Sequence, residues 1–231
     1  MKIKESFLDL FFPKTCLFCQ REGEYLCQDC FALLEVSEYQ YCLCKNPLRL
    51  PQAGKCRKCQ RKSLNGLYFA LSYQNSFCQK LIRQFKYENA VKELAKPLSS
   101  LIIAHFQLSN KLPTKEGVSI PVPLTKKRLK WRGFNQAEEI AKELSNSWGI
   151  SLVSNCLIKV KENPPQVELS EEERMENAKG VFQVQNKKEI IGKKIFLIDD
   201  VYTTGSTMEE AVRVLKAAGA KEVWGITVAR G

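Results

Sequence analysis

The chain lacks any apolar run long enough to cross a membrane. Its first residues, MKIKESFLDLFFPKTC, contain only a short apolar patch that Asp9 interrupts, without the core and cleavage site of a signal peptide. We therefore expect a cytoplasmic protein that does not insert into membranes. Histidine is nearly absent too. The single residue, His105, falls at the end of a predicted helix, where a structural role is expected rather than a catalytic one.

Acidic residues are outnumbered, because 25 Asp and Glu stand against 36 Lys and Arg, giving a net charge of +11. The excess is concentrated in two stretches. Residues 45–62 hold seven basic residues and no acid, and residues 111–132 hold seven more with one Glu. Such a surface suits nucleic acid, polyphosphate or an acidic protein. A basic face that is merely solvated is the alternative for each stretch.

Cysteine, by contrast, is abundant and clustered. Eight of the ten cysteines lie between positions 16 and 59. They form four close pairs: Cys16 and Cys19, Cys27 and Cys30, Cys42 and Cys44, Cys56 and Cys59. In a reducing cytoplasm this pattern predicts zinc rather than disulfides, because two cysteine knuckles complete one tetrahedral thiolate site. The four pairs therefore predict one or two structural zinc ions.

The spacing leaves the combination of the pairs open. Sequential sites are favoured, with the first two pairs in one site and the last two in the other, and a crossed arrangement is the alternative. A redox C-x-x-C pair is a further alternative, although no thioredoxin-like βαβ pattern surrounds it. A short segment with so little periodicity needs a metal to fold, so we predict a zinc domain over residues 1–65. The remaining Cys78 and Cys156 are expected to be buried small hydrophobes.

The stretch IFLIDDVYTTGST, residues 195–207, carries the clearest functional signal. Four apolar residues run into Asp199 and Asp200, a small polar loop follows, and an amphipathic helical pattern comes next. This order predicts a buried parallel strand, a tight turn and a helix N-terminus. Such a turn gathers backbone N–H groups and hydroxyls that cradle a phosphate. Two carboxylates at the end of the strand can accept hydrogen bonds from ribose hydroxyls, so the predicted ligand is a ribose 5-phosphate.

The same stretch resembles the phosphoribosyl diphosphate (PRPP) binding loop of type I phosphoribosyltransferases. The resemblance implies that Asp199 and Asp200 hold the ribose 2′- and 3′-hydroxyls. It also implies that the loop wraps the 5′-phosphate. The implied binding stretch is Asp199, Asp200, Val201, Tyr202, Thr203, Thr204, Gly205, Ser206 and Thr207.

The rest of the chain predicts an α/β fold, with strands and helices alternating through residues 66–231. Strands are predicted at 66–75, 118–122, 152–158 and 223–228, and helices at about 77–85, 91–105 and from Asn135 onward. A basic loop is predicted after the strand at 118–122, where phosphoribosyltransferases contact the pyrophosphate of PRPP. Its residues are Leu124, Thr125, Lys126, Lys127, Arg128 and Arg132, and a basic surface loop is the alternative. The polar segment 159–181 matches the mobile loop that closes over PRPP in that family.

Several further motifs resemble the ComF family of competence proteins, and in particular its ComFC-like members. They are PVPL at 121–124, RGFNQ at 132–136, PQVELS at 165–170 with Arg174 and Asn177 downstream, and the late IDDVYTTGST loop. The resemblance covers nearly the whole chain. It implies a cysteine-rich zinc domain followed by a type I phosphoribosyltransferase-like parallel sheet flanked by helices.

The ComF resemblance implies a cytoplasmic component of DNA uptake during natural transformation. It implies binding of single-stranded DNA and of a DNA-translocating helicase. Binding to these partners would bring the protein to the inner face of the membrane. Aromatic residues beside basic ones fit such binding: Phe77, Phe85 and Tyr87 with Lys80, Arg83 and Lys86. The alternative is an active phosphoribosyltransferase of nucleotide metabolism that uses Mg²⁺, PRPP and an unknown acceptor. The sequence leaves turnover open. A regulator that keeps the PRPP loop as a sensor ranks last, because no helix-turn-helix pattern is present.

Overall fold

The computed structural model describes residues 13–87, 91–111, 113, 116–161 and 180–231. Its strands are β1 (Gln40–Tyr41), β2 (Arg49–Leu50), β3 (Gly66–Ser72), β4 (Val118–Pro121), β5 (Ser151–Leu152), β6 (Leu157–Lys159), β7 (Phe182–Val184), β8 (Lys194–Tyr202) and β9 (Glu222–Arg230). Its α-helices are α1 (Gln28–Ala32), α2 (Ser76–Lys86), α3 (Ala95–Leu108), α4 (Lys126–Arg132), α5 (Gln136–Trp148) and α6 (Ser206–Ala217). Short 3₁₀ turns lie at Arg57–Cys59, Lys92–Leu94 and Lys187–Glu189.

Seven of these strands form one sheet in the order β2-β1-β3-β9-β8-β4-β5. The five strands from β3 to β5 are parallel, whereas β1 and β2 run antiparallel at one edge. Strand β8 lies in the interior of the sheet, with Ile198 aligned with Ile226 on one side and with Pro121 on the other. A parallel sheet needs cover on both faces, which explains why β8 begins with an unbroken apolar run.

The two faces of β8 pack against different helices, because successive side chains of a strand point to opposite sides. Phe196 and Ile198 are in the core formed with α2, α3 and α5. Ile195 and Leu197 are in the core formed with α6. The predicted α/β class, a parallel sheet flanked by helices, is thus confirmed.

The cysteine-rich segment extends this same sheet. Tyr41 of β1 is paired antiparallel with Leu67 of β3, and β2 is paired with β1. Cys16, Cys27 and Cys30 lie in the core that contains α2, whereas Cys42 and Cys59 lie in the core that contains α6. The cysteine-rich segment therefore shares both cores of the sheet domain.

Two sequence predictions of local structure were wrong. The basic segment after β4 was predicted as a loop, but it forms helix α4, with Thr125 as N-cap and Gly133 ending it at φ +81°. The single strand predicted at 152–158 is two short strands, β5 and β6. Between them the chain turns so that Cys156 is buried, and β6 pairs with β7 instead of joining the large sheet.

Several other predictions can be placed. His105 is buried, with Nδ1 2.5 Å from the Ser37 carbonyl, so it has a structural setting. Cys78 and Cys156 are buried, as expected. None of the helices in the described ranges has the length and apolarity needed to cross a bilayer. The predicted mobile loop at 159–181 and the PQVELS motif with Arg174 and Asn177 lie, apart from 159–161 and 180–181, outside the described residues.

Candidate functional site

A cavity of about 330 Å³ opens at the carboxyl ends of strands β4 and β8. Its wall combines the two carboxylates of β8 with the residues that follow β4, and with the last turn of α2. Ligands of open parallel sheets bind at this edge, because the strand ends expose loops and helix N-termini there. The fold therefore places the predicted acids where a ligand has room.

Both predicted acids line this cavity. Asp200 is buried, and its Oδ1 lies 2.8 Å from Nζ of Lys86, at the end of α2. Asp199 is half-buried, and its Oδ1 accepts a hydrogen bond from the backbone N–H of Asp200 at 2.9 Å. The two carboxylates thus differ in environment, since one is held in an ion pair and the other keeps an oxygen for a ligand.

The proton affinities reflect this difference. Burial, and then the neighbouring Asp200 carboxylate, raise the pKa of Asp199 to about 7, against an opposing effect of Lys86 and Lys159. Burial alone would lower the pKa of the Lys86 ammonium, but the Asp200 carboxylate outweighs it and raises that pKa. Asp199 therefore changes its charge near neutral pH while Lys86 stays protonated.

The predicted phosphate loop follows directly. Strand β8 ends at Tyr202, and helix α6 begins at Ser206, so Thr203 to Gly205 form the turn. Gly205 has φ +82°, and a Cβ there would overlap the Tyr202 hydroxyl. The hydroxyls of Thr204 and Ser206 lie 2.9 Å apart, and a small cavity of about 40 Å³ sits inside the loop. The loop thus presents hydroxyls and a helix N-terminus together, a combination that favours an anion.

The predicted pyrophosphate residues are only partly brought together. Leu124, Arg128 and Arg132 line the cavity. Thr125 is buried as the helix cap, accepting a hydrogen bond from the Arg128 N–H, while Lys126 and Lys127 are exposed in the first turn of α4. The positive charge that faces the cavity from this helix therefore comes from the two arginines.

Nine residues of the wall escaped the sequence prediction of the site, among them Lys86, Tyr87, Gln136 and Lys159. Gln136 belongs to the RGFNQ motif, which marks the family but did not reveal its role. Here it accepts a hydrogen bond from Arg132 at 3.0 Å and donates to the Phe85 carbonyl at 3.3 Å. From sequence, Lys86 and Tyr87 were assigned to a nucleic-acid surface and not to this site, because only the fold brings the end of α2 beside β8.

Asn135, also of RGFNQ, holds the strand end and the helix start together. Its side chain accepts from the Ala137 N–H at 3.2 Å and donates to the Val122 carbonyl at 3.1 Å. This motif therefore fixes the angle at which α5 leaves the cavity wall.

The eight clustered cysteines form two groups of four, and within each group the sulfur atoms lie within 4.8 Å of one another. The first group is Cys16, Cys19, Cys27 and Cys30, and the second is Cys42, Cys44, Cys56 and Cys59. The grouping is sequential, and the crossed alternative is excluded. Four sulfurs at about 2.3 Å from one zinc ion lie roughly 3.8 Å apart. The Sγ atoms of Cys19 and Cys27 lie 3.6 Å apart and those of Cys44 and Cys56 3.5 Å apart, so both groups fit a tetrahedral ion.

The second cysteine group also has the electrostatics of a metal-binding knuckle. The backbone N–H groups of Cys59 and Lys58 help to lower the pKa of the Cys56 thiol to about 6, which favours the thiolate a metal requires. The short C-x-C spacing of Cys42 and Cys44 does not prevent a four-sulfur site, because the four sulfurs of the second group converge as those of the first group do.

The second group is tied to the phosphate loop. The buried guanidinium of Arg230, at the end of β9, donates to the Cys42 carbonyl at 2.7 Å and the Cys44 carbonyl at 2.5 Å. Lys62 donates to the Tyr202 hydroxyl at 3.3 Å. The carboxylate of Glu209, in the first turn of α6, accepts from the Ser63 N–H at 2.7 Å. The segment that follows the second cysteine group therefore contacts the residues on either side of the loop, Tyr202 and Glu209.

Known proteins are similar to this chain over its C-terminal domain and over nearly its whole length. The family model for the phosphoribosyl transferase domain matches residues 130–231. Competence protein F of Haemophilus influenzae is 31% identical over 231 residues, covering 94% of this chain and 97% of its own length. Competence protein ComFC of Streptococcus pneumoniae is 26% identical, covering 90% of this chain and 89% of its own length. The DNA utilization protein YhgH of Salmonella typhi is 30% identical, covering 62% of this chain and 64% of its own length.

Proposed function

The chain belongs to the ComF family of competence proteins, and from this we propose that it serves DNA uptake during natural transformation and carries a PRPP-binding site. Two relatives are named competence proteins and a third a DNA utilization protein, which supports a role in DNA handling. The observation that carries the ligand is the cavity in which Asp199, Asp200 and the loop after β8 meet.

Each part of PRPP has matching chemistry in this cavity. The Thr203–Thr207 loop and the start of α6 suit the 5′-phosphate, because they offer hydroxyls and unpaired helix N–H groups. Asp199 and Asp200 suit the two ribose hydroxyls as acceptors. Arg128 and Arg132 suit the diphosphate, since a guanidinium binds phosphate oxygens in a fork.

Carboxylates, hydroxyls and a diphosphate are also the oxygen donors that Mg²⁺ prefers, so the site fits the ion that accompanies PRPP. Bound there, the ion would neutralise charge on the diphosphate. Asp199 and Asp200 orient the ribose, and the two arginines hold the diphosphate end of the ligand. Zinc is proposed for the two cysteine groups, as a closed four-thiolate site of structural type.

An active phosphoribosyltransferase is the second candidate. It is favoured by the Asp199 carboxylate, whose pKa of about 7 matches that of an acid–base group at neutral pH. In that reaction an acceptor forms a bond to C1 of the ribose as diphosphate leaves with the bonding electron pair. The acceptor is undefined, so we keep turnover as the alternative and ligand binding as the main proposal.

Single-stranded DNA and a helicase are the proposed macromolecular partners. The basic helix α4 supports nucleic-acid binding, and the family resemblance alone supports the helicase. Part of the aromatic and basic surface considered from sequence is available for this purpose, since Phe77, Lys80, Arg83 and Tyr87 are exposed. Phe85 is fully buried, and Lys86 is engaged with Asp200.

The test is calorimetric titration of the zinc-loaded protein with PRPP and Mg²⁺, with wild type beside Asp199→Ala. Glu35→Ala, which removes an exposed carboxylate of the cysteine-rich segment, is the matched control. We expect saturable binding in wild type and in Glu35→Ala and none in Asp199→Ala. Binding that survives in Asp199→Ala, or no binding by any of the three proteins, would refute the proposed ligand.

A further inference from the structure

Two large aromatic side chains stand exposed at the mouth of the ribose-phosphate cavity. Trp131 of α4 is 69% exposed and Tyr87, just after α2, is 55% exposed. Their ring centroids are 6.3 Å apart with planes inclined by 51°. The two rings together form a contiguous exposed apolar patch, and such patches mark interaction surfaces.

The other exposed aromatics have cover that Trp131 lacks. The ring of Phe77 lies 4.4 Å from that of Phe18, and the guanidinium of Arg49 sits over the Tyr39 ring at 3.2 Å. Within the described residues, the only ring contact recorded for Trp131 is with Tyr87. The free face of the indole is therefore available to a planar group.

The charged residues of helix α4, which carries Trp131, are all of one sign. Helix α4 reads KKRLKWR, with five basic residues and no acid. Trp131 therefore stands among cations that match a chain of phosphates, and its own ring matches the face of a base.

The pair of exposed aromatics, Trp131 and Tyr87, adjoins the cavity. Tyr87 and Arg132 both line the cavity wall, and the Arg132 guanidinium sits over the Tyr87 ring at 5.0 Å. The Arg132 Nε is buried and, among the described residues, no acceptor reaches it. An unsatisfied buried donor is costly, so a shift of the Arg132 guanidinium that brings this atom to an acceptor of a ligand is favourable.

We propose that Trp131 and Tyr87 form the base-stacking platform of a single-stranded nucleic-acid site whose inner end is the ribose-phosphate cavity. A single strand is the matching occupant because its bases are free to stack, whereas a duplex hides the faces of its bases. Arg128, Lys130 and Arg132 neutralise its phosphates. The bound nucleic-acid strand and the ligand of the cavity then meet at Arg132. This inference rests on the proposed DNA role and assigns it a surface.

The test uses the full zinc-loaded chain with a short oligothymidylate as probe, titrated by fluorescence anisotropy at several salt concentrations. Trp131→Ala should bind the probe about tenfold more weakly than wild type, the loss typical of one stacked base. Trp131→Phe should recover most of the affinity, because a smaller ring still stacks. Tyr39→Ala is the matched control, an exposed aromatic of the cysteine-rich segment beside Arg49, and it should bind as wild type does.

Two further titrations separate this proposal from the proposed PRPP site. Trp131→Ala should keep wild-type affinity for PRPP, while Asp199→Ala loses PRPP. If no protein binds PRPP but Trp131→Ala still loses the oligonucleotide, the platform stands and the PRPP site falls. Wild-type oligonucleotide binding by Trp131→Ala, an equal loss in Tyr39→Ala, or no binding by wild type would each overturn the platform. If Trp131→Ala loses binding to a protein partner but binds the oligonucleotide as wild type does, the surface is a protein interface and the platform is overturned.

Discussion

The Nζ atom of Lys86 lies 2.8 Å from Oδ1 of Asp200, and both side chains are largely withdrawn from solvent. The pair joins the end of α2 to β8 at the floor of the candidate site. It also distinguishes the two neighbouring acids, because Asp200 forms an ion pair with Lys86 whereas the Asp199 carboxylate accepts a hydrogen bond from the Asp200 N–H. A ligand hydroxyl at Asp200 must therefore share the carboxylate with Lys86.

Replacing Lys86 by Met tests the ion pair. The change keeps the length of the side chain but leaves the Asp200 carboxylate buried without its cation, beside a second carboxylate. Breaking a buried pair from one side costs about 3–5 kcal/mol, so the free energy of unfolding should fall by several kcal/mol in urea titrations. Asp200→Asn in the same chain should restore much of the loss. If the double variant is no more stable than Lys86→Met, the pair does not act as described.

The raised pKa of Asp199 predicts a pH dependence of stability. Its folded pKa of about 7 lies above the ordinary value of 3.8, so between these values the folded chain holds a proton that the unfolded chain has released. The contribution of this group to stability is therefore full below pH 4 and is lost as the pH rises through about 7. In Asp199→Asn this decrease in the free energy of unfolding with rising pH should disappear. Chemical unfolding at a series of pH values measures the difference between the two proteins. An unchanged pH profile in the variant would contradict the assignment.

Much of the site followed from local sequence. The apolar run, acid pair and small polar loop at 195–207 predicted strand β8, the turn and helix α6, because each element carries its own signal over adjacent residues. The strand at 118–121 and the helix after Asn135 followed in the same way. The sequential grouping of the cysteines was favoured from spacing, and the structure selected it.

What the sequence did not predict depends on contacts between distant segments. From sequence, Lys86 was one of the basic residues of a predicted nucleic-acid surface, and only the packing of α2 against the sheet brings it to Asp200. The segment KKRLKWR has no apolar periodicity, so it was predicted as a loop. Its helix depends on the Thr125 cap and on Gly133, with no buried residue among its seven.

Removal of the metal from one cysteine group at a time should affect ligand binding unequally. Cys56→Ser disrupts the second group, whose carbonyls hold Arg230 next to the phosphate loop. Cys19→Ser disrupts the first group, which packs near the start of α2, where Phe18 contacts Phe77. Each variant should lose one of two zinc ions by elemental analysis. Affinity for PRPP should fall clearly in Cys56→Ser and little in Cys19→Ser, and an equal loss in both would argue against a specific link to the loop.

Gly205 and Gly149 offer a matched pair for testing the shape of the phosphate loop. Both have positive φ, +82° and +65°, so an alanine at either position carries a similar backbone strain of about 1–2 kcal/mol. A Cβ at Gly149 meets nothing within 4 Å, whereas a Cβ at Gly205 overlaps the hydroxyl and ring of Tyr202. The excess destabilisation of Gly205→Ala over Gly149→Ala in urea titrations therefore measures this close contact.

The same pair separates loop shape from general stability in ligand binding. Because Tyr202 must move when Gly205 gains a methyl group, the turn between β8 and α6 shifts with it. Gly205→Ala should therefore bind PRPP about tenfold more weakly or worse, equivalent to about 1.4 kcal/mol or more. Gly149→Ala, at the end of α5, should bind it as wild type does, since its strain leaves the loop in place. Equal affinities for the two variants would mean that the ligand does not use the turn, and the phosphate would have to be sought elsewhere along the cavity wall.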